Sequence, residues 1–92
     1  MHVLMYYMYI SHIIYHLTNL QAGSFRQRED ADRRRAELLL LGLEPRVEES
    51  KGDNGRWFRV YLGPFESRSK MSKARSLTAA QNIDTLVLKR SS

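Results

Sequence analysis

The chain has no cysteine, which excludes disulfides and thiolate metal sites and leaves the redox compartment unreadable. Histidine is confined to His2, His12 and His16, a spacing that matches no firm ligand pattern. No spaced pair of carboxylates falls on the strand faces described below, where Glu48 stands alone. Acid–base and nucleophilic catalysis therefore lack their usual side chains. The expectation is a protein that is not an enzyme, with no catalytic residue, no cofactor and no metal site. Lysine and arginine are missing from residues 1–17, which hold four Tyr, three Met, three Ile and three His. A secretory signal needs a basic start and a small-residue cleavage site, and this run has neither. It is also shorter than the roughly 20 apolar residues of a membrane span and is broken by His2, Ser11, His12 and His16. Residues 1–19 read as an atypical hydrophobic and aromatic extension or an artefact of the reading-frame start, with a poor membrane anchor as the alternative.

What is present fits one small domain. Ninety-two residues make a single modest core. Fifteen basic side chains against ten acidic give a formal charge of +5 and a pI near 9.9. That balance suits an anionic partner such as nucleic acid, acidic lipid or acidic polysaccharide.

A short phrase occurs twice. Leu20-Gln21-Ala22-Gly23-Ser24-Phe25 returns as Tyr61-Leu62-Gly63-Pro64-Phe65, with Gly23 and Gly63, and Phe25 and Phe65, 40 residues apart. At the same offset Leu43 meets Ile83, Glu44 meets Asp84 and Val47 meets Val87. Each phrase opens a charged helical stretch that leads to a short strand, and neither half can bury its apolar face alone. Leu17 to Gly23 reads as a strand and Arg28 to Leu41 as a helix, with Glu29, Asp30 and Asp32 in its opening turn and Gly42 as its left-handed stop. Ala31, Leu38 and Leu41 share its buried side. Arg33, Arg34 and Arg35 point about 100° apart in turn and read as a solvated face. Pro45 to Ser50 is a second strand with Val47 inward. The Lys51–Gly55 turn cluster makes a hairpin with Arg56 to Leu62. Ser67 to Gln81 is a second helix with Met71, Ala74 and Leu77 at threefold spacing, stopped at Asn82, and Thr85 to Lys89 is the last strand.

The order is β-α-β-β-α-β. The expected fold is α+β, a ferredoxin- or RNP-like four-stranded antiparallel sheet with two helices on one face and the other face open. Alternation sorts the open face. Phe58 and Val60 go inward, leaving Trp57, Arg59 and Tyr61 outward. On the first strand Leu20 and Ala22 go inward and Gln21 outward. On the last, Leu86 and Leu88 go inward and Val87 outward. Exposed aromatics flanking an arginine make a binding surface, because a protein gains little by leaving Trp in water. The structural alternative is that residues 1–19 cover this face.

Gln21-Ala22-Gly23-Ser24-Phe25, the Ala31 helix ending at Gly42, Arg59-Val60-Tyr61 and Leu62-Gly63-Pro64-Phe65 resemble the SPOR domain, the sporulation-related repeat of bacterial envelope and division proteins. The likeness covers residues 20–90 and is greatest to the C-terminal domain of a proteobacterial division protein. The chain departs from the family pattern at Arg34 and Asn82, where Leu and Gly are common. The resemblance implies a peptidoglycan-binding module of the periplasm or cell envelope, with a preference for septal glycan strands stripped of stem peptides. It implies other division proteins as further partners and a membrane link only through an anchor in the host protein. By motif position it implies glycan contacts at Gln21, Ser24, Trp57, Arg59 and Val87, and Tyr61 joins them as the third outward residue of its strand. The rival is an RRM-like single-stranded RNA-binding domain, which shares the element order and a basic, aromatic sheet face. Nucleic acid is nonetheless not expected, since Gln21 stands where the first-strand ring of such a domain should be.

Overall fold

Period-two burial along the two central strands builds a two-layer α+β domain. The computed structural model describes residues 18–89. Residues 1–17, and with them the expected extension or anchor, lie outside the described residues, whereas Thr18 and Asn19 are the first residues of a strand. The elements are β1 (Thr18–Phe25), α1 (Arg28–Leu40), β2 (Pro45–Gly52), β3 (Gly55–Leu62), α2 (Arg68–Ala80) and β4 (Leu86–Lys89). The strands form one sheet in the order β2-β3-β1-β4, and every neighbouring pair is antiparallel. The two crossovers run through the helices, which places the duplicated β1 and β3 side by side in the centre.

The helices pack on one side only. Leu20, Ala22, Phe58, Val60 and Leu62 from the central strands join Ala31 and Leu38 of α1, Ala74 of α2 and Ile83 in a single buried cluster. Phe25 and Phe65, the paired aromatics of the repeated phrase, close on this cluster from the periphery. On α2 the buried residues are Ala74 and Thr78, with Met71 packed beside them. Leu77 is only half-buried. Threefold spacing drifts around a helix of 3.6 residues per turn, while seven residues bring the chain back to nearly the same side. Thr78 therefore takes the place expected for Leu77, and its hydroxyl is satisfied by donation to the Arg75 carbonyl at 2.9 Å.

The repeat extends to the way each helix ends. At α1 the Leu43 amide donates to the Leu38 carbonyl (3.2 Å) and the Gly42 amide to Leu39 (3.0 Å). At α2 the Ile83 amide donates to Thr78 (2.9 Å) and Asn82 to Ala79 (3.0 Å). Both are Schellman stops. Gly42 has φ +82° and Asn82 has φ +57°, so asparagine supplies in the second copy the left-handed turn that glycine supplies in the first. Each stop is followed by an apolar residue, Leu43 or Ile83, that turns back onto the core.

The cluster stands or falls with its central ring. Phe58 is 4% exposed, and Phe58→Ala is expected to cost about 3–5 kcal/mol of stability by opening a cavity between sheet and helix. Urea unfolding checks this, and a loss below about 1 kcal/mol would mean that the surrounding side chains collapse into the space.

Candidate functional site

Directly opposed residues of antiparallel strands share a face, so the registers define the open side. Along the hairpin, Arg46 opposes Tyr61, Glu48 opposes Arg59 and Ser50 opposes Trp57. Trp57, Arg59 and Tyr61 are one residue out of phase with the buried Phe58 and Val60, and all six side chains lie on the face away from the helices. The row Trp57, Arg59 and Tyr61 is therefore on the open face, as alternation predicts.

The neighbouring strand reaches the same face by breaking alternation. In β1, Leu20 opposes Leu62 and Gln21 opposes Tyr61, but Ser24 opposes Arg59 and Phe25 opposes Phe58. Ala22 and Gly23 together face the single residue Val60, which makes a β-bulge. Strict period two would send Ser24 into the core with Leu20 and Ala22. The bulge shifts the parity, so Gln21 and Ser24 both face out and Phe25 turns in. Gly23 permits this with φ +151°. A Cβ at that position would lie 2.5 Å from Phe25 Cε2.

The expected facing of β4 is reversed. Val87 opposes the buried Leu20, while Leu86 opposes Gln21 and Leu88 opposes Asn19. Val87 packs against the core and is not on the open face. Leu86, 57% exposed, and Leu88 take its place. Side-chain hydrophobicity suggested the opposite because two leucines outweigh one valine. The correct signal lay in the repeat: Val47 and Val87 are equivalent, and both point inward.

Arginines organise the face. The Arg46 guanidinium lies 5.2 Å from the Tyr61 ring centroid, donates to the Gly63 carbonyl (2.8 Å) and to Asn19 Oδ1 (3.1 Å), and pairs with Glu48 at 3.9 Å. It fastens the Tyr61 end of the face, where Asn19, Arg46, Glu48, Tyr61, Leu88 and Lys89 line a shallow cavity of about 200 Å³. Arg59 donates to Ser50 Oγ at 2.6 Å and lies 5.9 Å from the Trp57 centroid. Trp57 is half-buried because a residue that sequence patterning passed over, Arg26, stacks on its indole at 3.9 Å. Arg26 belongs to a loop, where no periodicity announces a side chain's direction. Arg46 and Ser50 follow from the hairpin register once Gly52 is paired with Gly55.

This face can stack a flat apolar surface on Trp57 or Tyr61 and offer hydrogen bonds from Gln21 and Ser24. Arg59 offers a planar, charged donor. Among the described residues no group of His, Asp and Glu could hold a metal ion, and no helix is long and apolar enough to cross a membrane.

A family model for the SPOR domain matches residues 19–89. The chain belongs to the SPOR family. No curated protein matches it. Among solved structures its fold is similar to the SPOR domain of RlpA from Pseudomonas aeruginosa, with 20% identity and a TM-score of 0.72 over 79% of this chain and 99% of that one. It is also similar to the peptidoglycan-binding domain of the B. subtilis cell wall lytic enzyme CwlC, with 20% identity and a TM-score of 0.67 over 80% and 89% of the two chains.

Within this SPOR fold Arg34 departs from a solvated face. It is only partly exposed, donates from Nη1 to the Ala22 carbonyl at 2.6 Å and lies 5.4 Å from the Phe25 centroid. Glu37 approaches its Nε at 3.8 Å. The guanidinium thus clasps the bulge from the helix side, through Ala22 on one side of Gly23 and the Phe25 ring on the other. Arg34→Ala should strip the partner from the Ala22 carbonyl and cost about 1–3 kcal/mol in urea unfolding. Amide resonances of Ser24 and Phe25 should shift while the Trp57 indole stays. Unchanged stability would show that Gly23 alone sustains the bulge.

Proposed function

We propose that this domain binds the glycan strands of peptidoglycan on its open sheet face. The observation that carries this reading is the outward row Trp57, Arg59 and Tyr61 beside Gln21 and Ser24, in a chain of the SPOR family. The fold shared with a peptidoglycan-binding domain supports it. A sugar ring offers an apolar C–H face to an indole or phenol and a rim of hydroxyl and N-acetyl groups to Gln21 and Ser24. Muramic acid freed of its stem peptide presents a lactyl carboxylate, which suits the guanidinium fork of Arg59. Leu86 and Leu88 extend the apolar margin where Val87 was expected to contribute.

The finer reading follows from that carboxylate. Strands stripped of peptide, such as amidases leave at a division septum, expose the acid and remove steric bulk. They are the preferred ligand, and the domain acts as a non-catalytic module of a bacterial envelope protein. The likeness of its motifs to the C-terminal domain of the division protein FtsN supports a septal role alongside other division proteins. A flat face binds one stretch modestly, and repeated stretches along a polymer add avidity.

Two outcomes test this. Retention on intact sacculi should rise after amidase treatment and should exceed retention on single-stranded RNA. Equal retention on both sacculi would remove the preference for stripped strands, and tighter retention on RNA would favour an RRM-like role.

Trp57→Ala and Arg59→Ala should each cost about 1–3 kcal/mol of glycan binding, one by loss of stacking and the other by loss of a charge-assisted contact. Only Arg59→Ala should flatten the salt dependence of binding, because only it removes a charge. Sedimentation with stripped sacculi at two ionic strengths reads both effects.

A further inference from the structure

Arg26 has a built seat between the Trp57 indole and the hairpin turn. Its guanidinium carbon is 3.9 Å from the Trp57 centroid, and its Nη1 donates to the Asn54 carbonyl at the hairpin turn. Gly55 completes the seat: a Cβ there would stand 2.7 Å from that same nitrogen. Arg59 approaches the same indole at 5.9 Å and is tethered to Ser50 Oγ. Two guanidiniums thus converge on one ring, and each is anchored by a neutral acceptor.

Five other arginines of this domain are answered by carboxylates. Arg28, Arg33, Arg34, Arg46 and Arg56 each lie within 4.0 Å of a carboxylate oxygen. Among the described residues Arg26 and Arg59 have no such partner, as is also true of Arg35, Arg68 and Arg75, but Arg26 and Arg59 are the two brought to one aromatic ring. Glu48 opposes Arg59 in the register, but its ion pair is with Arg46. Like charges brought together at one ring repel, and an anion placed between them relieves the repulsion. A guanidinium carries five N–H donors, so one tether leaves each fork free to grip a carboxylate.

We infer that Arg26, Trp57 and Arg59 form a carboxylate clamp floored by the indole, and that Arg26 makes the face select acidic over neutral sugars. This deepens the glycan reading and rests on it for the identity of the acid. The two arms come from different places, Arg26 from the β1–α1 connection and Arg59 from the centre of β3. The clamp therefore depends on the seat at the hairpin turn to hold the loop arm in register. Arg26 contacts the ligand's charge and not its hydroxyls, so its contribution vanishes when the acid is absent.

The test uses NMR titration of the full chain with N-acetylmuramic acid and with N-acetylglucosamine, which has the same ring without the lactyl acid. The acidic sugar should shift the Trp57 indole and the Arg26 and Arg59 Nε resonances and bind about tenfold more tightly than the neutral one. Arg26→Gln should weaken the acidic sugar about fivefold or more, leave the neutral one within about twofold, and reduce the salt dependence. Arg26→Lys, which keeps the charge and loses the fork, should fall between. Equal weakening of both sugars would reduce Arg26 to a prop for the hairpin. Tighter binding of the neutral sugar would make it a lid over the indole, and the absence of any shift at Trp57 with the acidic sugar would also overturn the clamp. Sacculus retention separates the two ideas. A chain that ignores sacculi yet discriminates the sugars keeps the clamp and loses the glycan function. A chain retained on sacculi and indifferent to Arg26→Gln keeps the function and loses the clamp.

Discussion

One extra residue in a central strand decides what the open face contains. The bulge at Ala22 and Gly23 inverts the parity of β1 part-way along its length, so the same strand delivers Leu20 and Ala22 to the core, then Ser24 to solvent and Phe25 back to the core. Without it, a serine would be buried and a phenylalanine exposed at the point where sheet gives way to helix. Both a polar burial penalty and a lost aromatic contact oppose that arrangement. The bulge needs a residue free of a Cβ, which Gly23 supplies, and a donor for the Ala22 carbonyl, which Arg34 supplies across the layer.

The same logic of neighbouring elements governs the charges. The net positive charge is a property of the whole chain, but it is unevenly answered. Carboxylates pair with Arg28, Arg33 and Arg34 on the helix side and with Arg46 at the Tyr61 end. At the Trp57 end two guanidiniums without a carboxylate partner, Arg26 and Arg59, meet one ring and are held by neutral groups. A basic composition thereby becomes a local field at one ring, and steering of an anion depends on that local field more than on the sum. The two ends of β3 consequently differ in chemistry although each carries an aromatic residue and an arginine.

Pseudo-symmetry explains why so few residues build the site. Each half spends one strand on the centre of the sheet and one on its edge, and the helices cover a single face. The second half is the leaner copy, with a four-residue edge strand where the first has eight. The hairpin β2–β3 lies in the first half of the sheet order, so the aromatic row gains a long partner strand on one side and the bulged β1 on the other. The face is flat and broad beside β2 and narrow beside β4, where Leu86 and Leu88 border it.

The sequence by itself determined the element order, the duplicated glycine–aromatic phrase, the helix stops at Gly42 and Asn82, and the outward row Trp57, Arg59 and Tyr61. These are local properties: side-chain period, turn chemistry and spacing act within a few residues. It also held the facing of Val87, through the equivalence with Val47, though the leucines on either side of Val87 pointed the other way. What only the tertiary structure decided is how segments distant in the chain meet. The bulge register comes from pairing β1 with β3, which are 40 residues apart in the repeat. The burial of Arg34 comes from its reach to a strand carbonyl 12 residues away. The stacking of Arg26 on Trp57 joins a loop to a hairpin that periodicity cannot link, because contact between them is set by packing and not by spacing along the chain.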